Sequence, residues 1–287
     1  MKKSILAALL LILFAAAGAQ NNLTSPPFDR REELNLDTLG IAGRGEGMPP
    51  QGLAFAEGYI FALYHGGLCA VIDAAGNTLA GEYMLAGAEG THCNNASFGT
   101  DRASGESPFP LLYVSECSAP SRCFVIDAGI AGSRLVQTIR YEGKGIDRFC
   151  DWCVDRENRH LYAFGRTPEN GAVFKRFDLP APDSAEVILT DGDVLWERAY
   201  PEGFFRIPQG SCIYGGRIYC PTGNPRICEC MIHVIDLAGG EEVARCNIDG
   251  TGREPEGCFV RDGRLHVFFT GGCGAIYSYG IADESAE

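Results

Sequence analysis

The sequence predicts an all-β fold of five equivalent units, and three observations carry that prediction. One motif returns five times: PQGLAF at 50–55, CNNASF at 93–98, FCDWCV at 149–154, PQGSCI at 208–213 and PEGCFV at 255–260. Each copy is followed by further short apolar runs, such as YIFALY, CAVIDAAG and LAGEYML after the first. Runs of this length, rich in Val, Ile, Phe and Tyr and bounded by turn residues, are antiparallel strands. Finally, the aligned residues Gln51, Asn94, Cys150, Gln209 and Glu256 stand 43, 56, 59 and 47 residues apart. That period, near the roughly 40–50 residues of a blade with loop insertions, predicts a five-bladed β-propeller of four-stranded antiparallel blades.

The elements follow in order. Second strands are read at LLYVSE, LYAFGR, RIYCPTG and RLHVFFTG, third strands at CFVIDAG, FKRFDL and IHVIDLAGG, and fourth strands at RLVQTIRY and EVARCNI. The polar stretch Gly99–Pro108 is the long insertion between first and second strands of the second blade. From Glu256 to Ile281 only three strands fit, so the last blade needs a fourth. Residues 32–39 (EELNLDTL) can supply it, closing the ring without an open edge. Asp73, Asp127, Asp178 and Asp236 recur at the ends of third strands and read as turn-capping residues. His160, His233 and His266 fall in strand-like runs and read as structural.

The N-terminus carries a separate signal. Lys2 and Lys3 precede the apolar run Ile5–Ala17, and Ala17-Gly18-Ala19 offers small residues for cleavage. Residues 1–19 are expected to be a signal peptide and 20–287 one propeller domain, exported to the periplasm or outside the cell. No membrane span is expected after cleavage, and a monomer is expected. Without Lys2 and Lys3 the formal charge moves from −13 to −15, 22 basic against 37 acidic side chains. Such a surface repels phosphate backbones, which excludes nucleic acid as a partner.

Thirteen cysteines are many for this length. In an exported chain disulfides are permitted, and the local candidates are Cys117 with Cys123 and Cys220 with Cys228 or Cys230. Cys93, Cys150, Cys153, Cys212 and Cys258 lie on or beside the first strands, where a small apolar thiol packs well. The Cys150-Asp151-Trp152-Cys153 spacing lacks the partner pair that a zinc site needs, so no metal is expected. No nucleotide loop, nucleophile elbow or zinc-protease helix is present, so no cofactor is expected.

Function is read from the axis. First strands of a propeller start around the central funnel, which places Gln51, Asn94, Cys150, Gln209 and Glu256 together, with His92, Asp151 and Glu254 beside them. The facing loops bring His65, Glu116, Arg166, Asn170 and Asn224, and Tyr64, Trp152, Tyr214 and Phe269 are expected at the rim. The candidate ligand-binding set is Gln51, His65, His92, Asn94, Glu116, Asp151, Arg166, Gln209, Asn224 and Glu256. Asp151, Glu254, Glu256 and His92 are the candidates for catalysis. A pit of amides, carboxylates and histidines with aromatics suits hydroxyl-rich ligands.

The motif His92-Cys93-Asn94-Asn95, with PQG at 50–52 and EPEG at 254–257, resembles five-bladed propellers of bacterial cell-surface and phage-tail proteins, the group labelled teichoic acid biosynthesis protein C. The resemblance implies a glycan or cell-envelope partner, with His92, Asn94, Gln51 and Glu256 as the positions to suspect. The chain departs from that pattern in Asn95, in its cysteine load and in Cys150-Asp151, which lacks the Gln-Gly form. Three functions follow as expectations: binding of a glycan or envelope component in the funnel, cleavage of a glycan by funnel carboxylates, or a scaffold that binds another protein. Glycoside hydrolysis needs two carboxyl groups flanking the bond.

Overall fold

The computed structural model describes residues 29–42, 47–118 and 121–281, with the side chains of 148–150 outside the description. The expected signal peptide and the acidic tail Asp283–Glu287 fall outside the described residues.

The chain is a five-bladed β-propeller. Strand β1 (Arg30–Asn35) precedes the first blade, which is β2 (Pro50–Ala56), β3 (Tyr59–Tyr64), β4 (Leu68–Asp73) and β5 (Thr78–Met84). Blade II holds β6 (Asn95–Phe98), β7 (Leu112–Glu116), β8 (Arg122–Ala128) and β9 (Ser133–Tyr141). Blade III runs through β10 (Arg148–Asp155), β11 (His160–Arg166) and β12 (Ala172–Asp178). It ends at β14 (Trp196–Tyr200), after the inserted β13 (Glu186–Leu189). Blade IV is β15 (Cys212–Tyr214), β16 (Arg217–Asn224), β17 (Cys228–Asp236) and β18 (Glu242–Asn247). Blade V is β19 (Pro255–Arg261), β20 (Arg264–Phe269) and β21 (Ala275–Gly280), completed by β1.

Ring closure follows the expected route with a shifted boundary. β1 pairs antiparallel with β21 from Arg30↔Tyr279 to Asn35↔Ala275, and Leu36–Leu39 is a single turn of 3-10 helix instead of strand. The cause is local: the Asn35 side chain accepts a hydrogen bond from Asp37 N at 3.0 Å and caps that turn. Blade II gains a fifth strand that the repeat did not foretell. β13 leaves blade III and lies parallel to β9, from Glu186↔Thr138 to Leu189↔Tyr141. Gln137 anchors the crossing segment by donating to Ala181 O and Ser184 O at 2.9 and 3.0 Å.

The core is divided among the seams between neighbouring blades. Phe61 meets Phe98 and Phe109 edge-on between blades I and II, at 5.1 and 5.0 Å between ring centroids. Trp152, Phe177 and Tyr113 fill the seam between II and III, and Phe164, Phe174 and Phe205 that between III and IV. Each such buried aromatic contributes about 2–3 kcal/mol of transfer free energy. At the axis the motif glycines are sterically required. A Cβ on Gly257 would lie 2.3 Å from Leu53 N, and one on Gly210 would lie 2.9 Å from Gly257 Cα.

The expected disulfides are not formed: all twelve described cysteines are thiols. Cys117 lies beyond the last β7–β8 pair, Glu116↔Arg122, and lines the axial cavity, whereas Cys123 packs with Tyr113 and Trp152. Cys220 and Cys230 occupy opposite faces of blade IV, one packed with Phe205 and the other with Phe269. Asp73 and Asp236 cap turns as expected, accepting from Ala75 N at 2.9 Å and Gly239 N at 3.0 Å. Among the described residues no helix is long and apolar enough to cross a membrane.

Candidate functional site

The first strands and the ends of the second strands converge on a cavity of about 420 Å³. Blade II supplies His92, Asn94 and Cys117, blade III Asp151, Phe164, Gly165 and Arg166, the segment before β15 Ile207, Pro208 and Gln209, and the segment before β19 Glu254. Asp151 pairs with Phe164 across the β10–β11 hairpin, so strand alternation puts a carboxyl and an aromatic ring on one face. The same alternation sends Trp152 the other way, into the seam between blades II and III, where it is fully buried.

Polar contacts around the cavity cross from blade to blade. Asn94 Nδ2 donates to Asp151 Oδ2 at 2.6 Å. Gln209 Nε2 donates to Glu254 Oε1 at 2.8 Å. Glu116 Oε2 accepts from His92 N at 3.2 Å, and the Nδ1 atoms of His65 and His92 face each other at 3.1 Å. Arg166 donates to Phe205 O at 3.0 Å, tying β11 to the segment that enters blade IV.

These groups titrate abnormally for physical reasons. Burial raises the Asp151 carboxyl to about 7 and the nearby Glu116 adds to it, against hydrogen bonds from Asn94 and Ser115. Glu256, 3% exposed, is pushed well above the carboxylate range by burial and by the neighbouring Glu254 and Asp151. Burial, then the adjacent His65, lowers His92, while Glu116 and a hydrogen bond with Asn94 work the other way. The axis thus keeps acids neutral that would be ionised in water, and a neutral carboxyl can donate as well as accept.

The expected residues separate into groups. His92, Asn94, Asp151, Arg166, Gln209 and Glu254 line the cavity; His65 and Glu116 contact His92; Glu256 lies within electrostatic reach of Asp151 and Glu254. Gln51 is buried, its Oε1 has no hydrogen-bond partner among the described residues, and it is not among the lining residues. Asn224 is a turn residue, accepting from Arg226 N at 3.0 Å, and does not line the cavity. Asn170 lies in an open groove of about 340 Å³ that shares Arg166 and Ile207 with the cavity.

Three of the four expected rim aromatics are core residues: Tyr64, Trp152 and Phe269 have no exposed surface, and only Tyr214 is exposed. The third repeat keeps the expected register: Tyr59 and His160 each pair with the aspartate that ends the third strand, Asp73 and Asp178, and three residues on Ala62 and Ala163 pair with Leu53 and Trp152, so Asp151 corresponds to Gly52.

The apolar wall was not foreseen. Phe164 was detectable as the residue two before Arg166 on the same strand face. Ile207 carries no sequence signal. Its φ of 49° is rare for a β-branched residue, and the following Pro208 ordinarily forces an extended backbone. Strain of this kind costs on the order of 1–3 kcal/mol and gathers at ligand sites. Among the described residues no three His, Cys, Asp or Glu side chains converge as a metal-binding set.

No protein-family model matches the chain, and no curated protein matches it. Solved structures do. Glutaminyl cyclase of Myxococcus xanthus is 16% identical with a TM-score of 0.50, over 82% of this chain and 91% of that one. Hydrazine synthase of Kuenenia stuttgartiensis is 17% identical with a TM-score of 0.43, over 76% of this chain and 61% of that one, so the chain spans under two thirds of its length. BamB of Moraxella catarrhalis is 12% identical with a TM-score of 0.35, over 82% and 84%. At these identities the likeness to the cyclase is one of fold, and the chain is a five-bladed β-propeller with an axial cavity lined by both polar and apolar side chains.

Proposed function

We propose that this propeller binds a hydroxyl-rich ligand, a sugar unit of a cell-envelope glycan, in the axial cavity. The observation that carries the reading is the composition of one partly enclosed space. Phe164, Ile207 and Pro208 line it together with the amides of Asn94 and Gln209 and the carboxyls of Asp151 and Glu254. A pyranose has the same duality, with C–H faces and O–H edges. A volume of about 420 Å³ falls within the range of small-molecule sites, roughly 300–1,000 Å³. The envelope assignment is supported by the HCNN, PQG and EPEG motifs and by the N-terminal export pattern.

A glycan array probed with the wild-type protein and with Asp151→Ala and Phe164→Ala tests this. Binding by the wild type that both variants lose supports the reading; binding that both retain, or none by the wild type, rejects it. A second reading, glycan cleavage, is favoured by the Asp151 carboxyl at about 7, a value suited to a general acid near neutral pH. Mass spectrometry of the bound glycans checks it, and intact glycans after prolonged incubation reject it.

A further inference from the structure

We propose that His65 and His92 form a divalent transition-metal site beside the axial cavity that His92 lines. Their Nδ1 atoms oppose each other at 3.1 Å, with the rings inclined at 74°. A metal 2.0–2.1 Å from each nitrogen would subtend an angle of roughly 95–102°, suited to neighbouring positions of a tetrahedral or octahedral ion.

The backbone holds this geometry before any ion arrives. His65 N donates to Pro49 O at 3.0 Å, fixing the loop after β3 to the start of blade I, while Gly66 N to Thr91 O and Gly90 N to Gly66 O, both at 2.8 Å, zip it to the loop before β6. Gly66, Gly67 and Gly90 take positive φ, which lets two tight turns bring the imidazoles together. The surroundings fit a bound cation. Asn94 hydrogen-bonds the His92 ring and itself donates to Asp151, while Glu116 holds the His92 backbone and places negative charge beside the ring. Outer contacts of this kind orient metal-binding imidazoles.

No third His, Cys, Asp or Glu joins the pair among the described residues. The remaining coordination positions are open to water or to an oxygen of a ligand in the cavity that His92 lines. A 27-residue separation hides this pair from spacing rules. The site stands independently of the sugar reading.

Calorimetry with Ni²⁺ on the full chain, produced without a histidine tag, tests the proposal. One ion per chain is expected, with His65→Gln and His92→Gln each weakening binding about tenfold or more. His160→Gln is expected to leave it unchanged. Repeating the titration on Cys228→Ser separates this site from the half-buried Cys228 thiol. Ni²⁺ is also expected to raise the wild-type melting temperature, a readout that needs no variant. Absence of both stoichiometric binding and the thermal shift overturns the proposal, as does binding that survives both His variants or disappears in Cys228→Ser.

Discussion

Two sides of one axis differ in what fills them. Between blades IV, V and I, the glycines of PQG and PEG let backbones touch: Gly210 abuts Gly257, and Gly257 abuts Gly52 and Leu53. In blade II the Gly52 position is taken by Asn95, which is fully buried and donates from Nδ2 to Trp152 O at 3.0 Å and Ser211 O at 2.9 Å. One amide there links blades II, III and IV. The cavity opens on this second side, and no residue of blade I lines it. A single repeat can therefore close the centre with glycine or open it with side chains, and the positions that depart from the pattern mark the chemistry.

The contrast can be broken most strongly at Gly257. Gly257→Ala forces a methyl against the backbone of Leu53 and is expected to destabilise the fold by about 3 kcal/mol. Urea unfolding checks this, and an unchanged midpoint would refute the close approach.

On the open side, the buried acids set a pH dependence whose sign is fixed by their raised values. Asp151 binds its proton up to about pH 7 when folded and only to about 3.8 when unfolded. Its contribution is complete below about pH 4 and lost as pH rises through 7. Melting temperature is expected to fall between pH 4 and 7, less steeply in Asp151→Asn and least in Asp151→Asn with Glu256→Gln. Equal slopes in all three proteins would remove the carboxyls as the cause.

Asn95→Ala removes the side-chain donor to Ser211 O and the shorter of two to Trp152 O, which keeps Ser115 Oγ at 3.3 Å, and is expected to cost about 2 kcal/mol, measurable by the same unfolding experiment. The smallest effect is at the periphery. Thr138 N donates to Ala185 O and Glu142 N to Leu189 O, so the odd residues of β13 face β9. Val187→Pro removes a donor there and is expected to cost about 1–2 kcal/mol while leaving the four antiparallel strands of blade II. Amide exchange confined to 185–189 and its β9 partners would sharpen the point.

The strand starts were legible because the repeat and period-2 alternation are local properties. They place His92, Asn94, Asp151, Gln209 and Glu254 toward one funnel. What escaped depends on distant contacts. β13 is a four-residue run whose partner lies some 48 residues earlier, and nothing in EVIL names β9. The expected place of Trp152 at the rim fails because it follows Asp151 on one strand, and adjacent strand residues face opposite ways. Cys93, Cys153, Cys212 and Cys258 pack as their place on or beside first strands implies, whereas the disulfide candidates Cys123, Cys220 and Cys230 lie inside apolar seams where packing decides.

The closing strand has a mechanical consequence. Because Arg30 pairs with Tyr279 and Asn35 with Ala275, residues 29 and 281 leave the same end of the β1–β21 ladder. Tension applied across them would peel that ladder open one hydrogen bond at a time, beginning at Arg30, instead of loading all its bonds in shear. The ring is therefore weakest to a pull at its own seam, and a tether meant to hold it under force belongs on a loop of another blade.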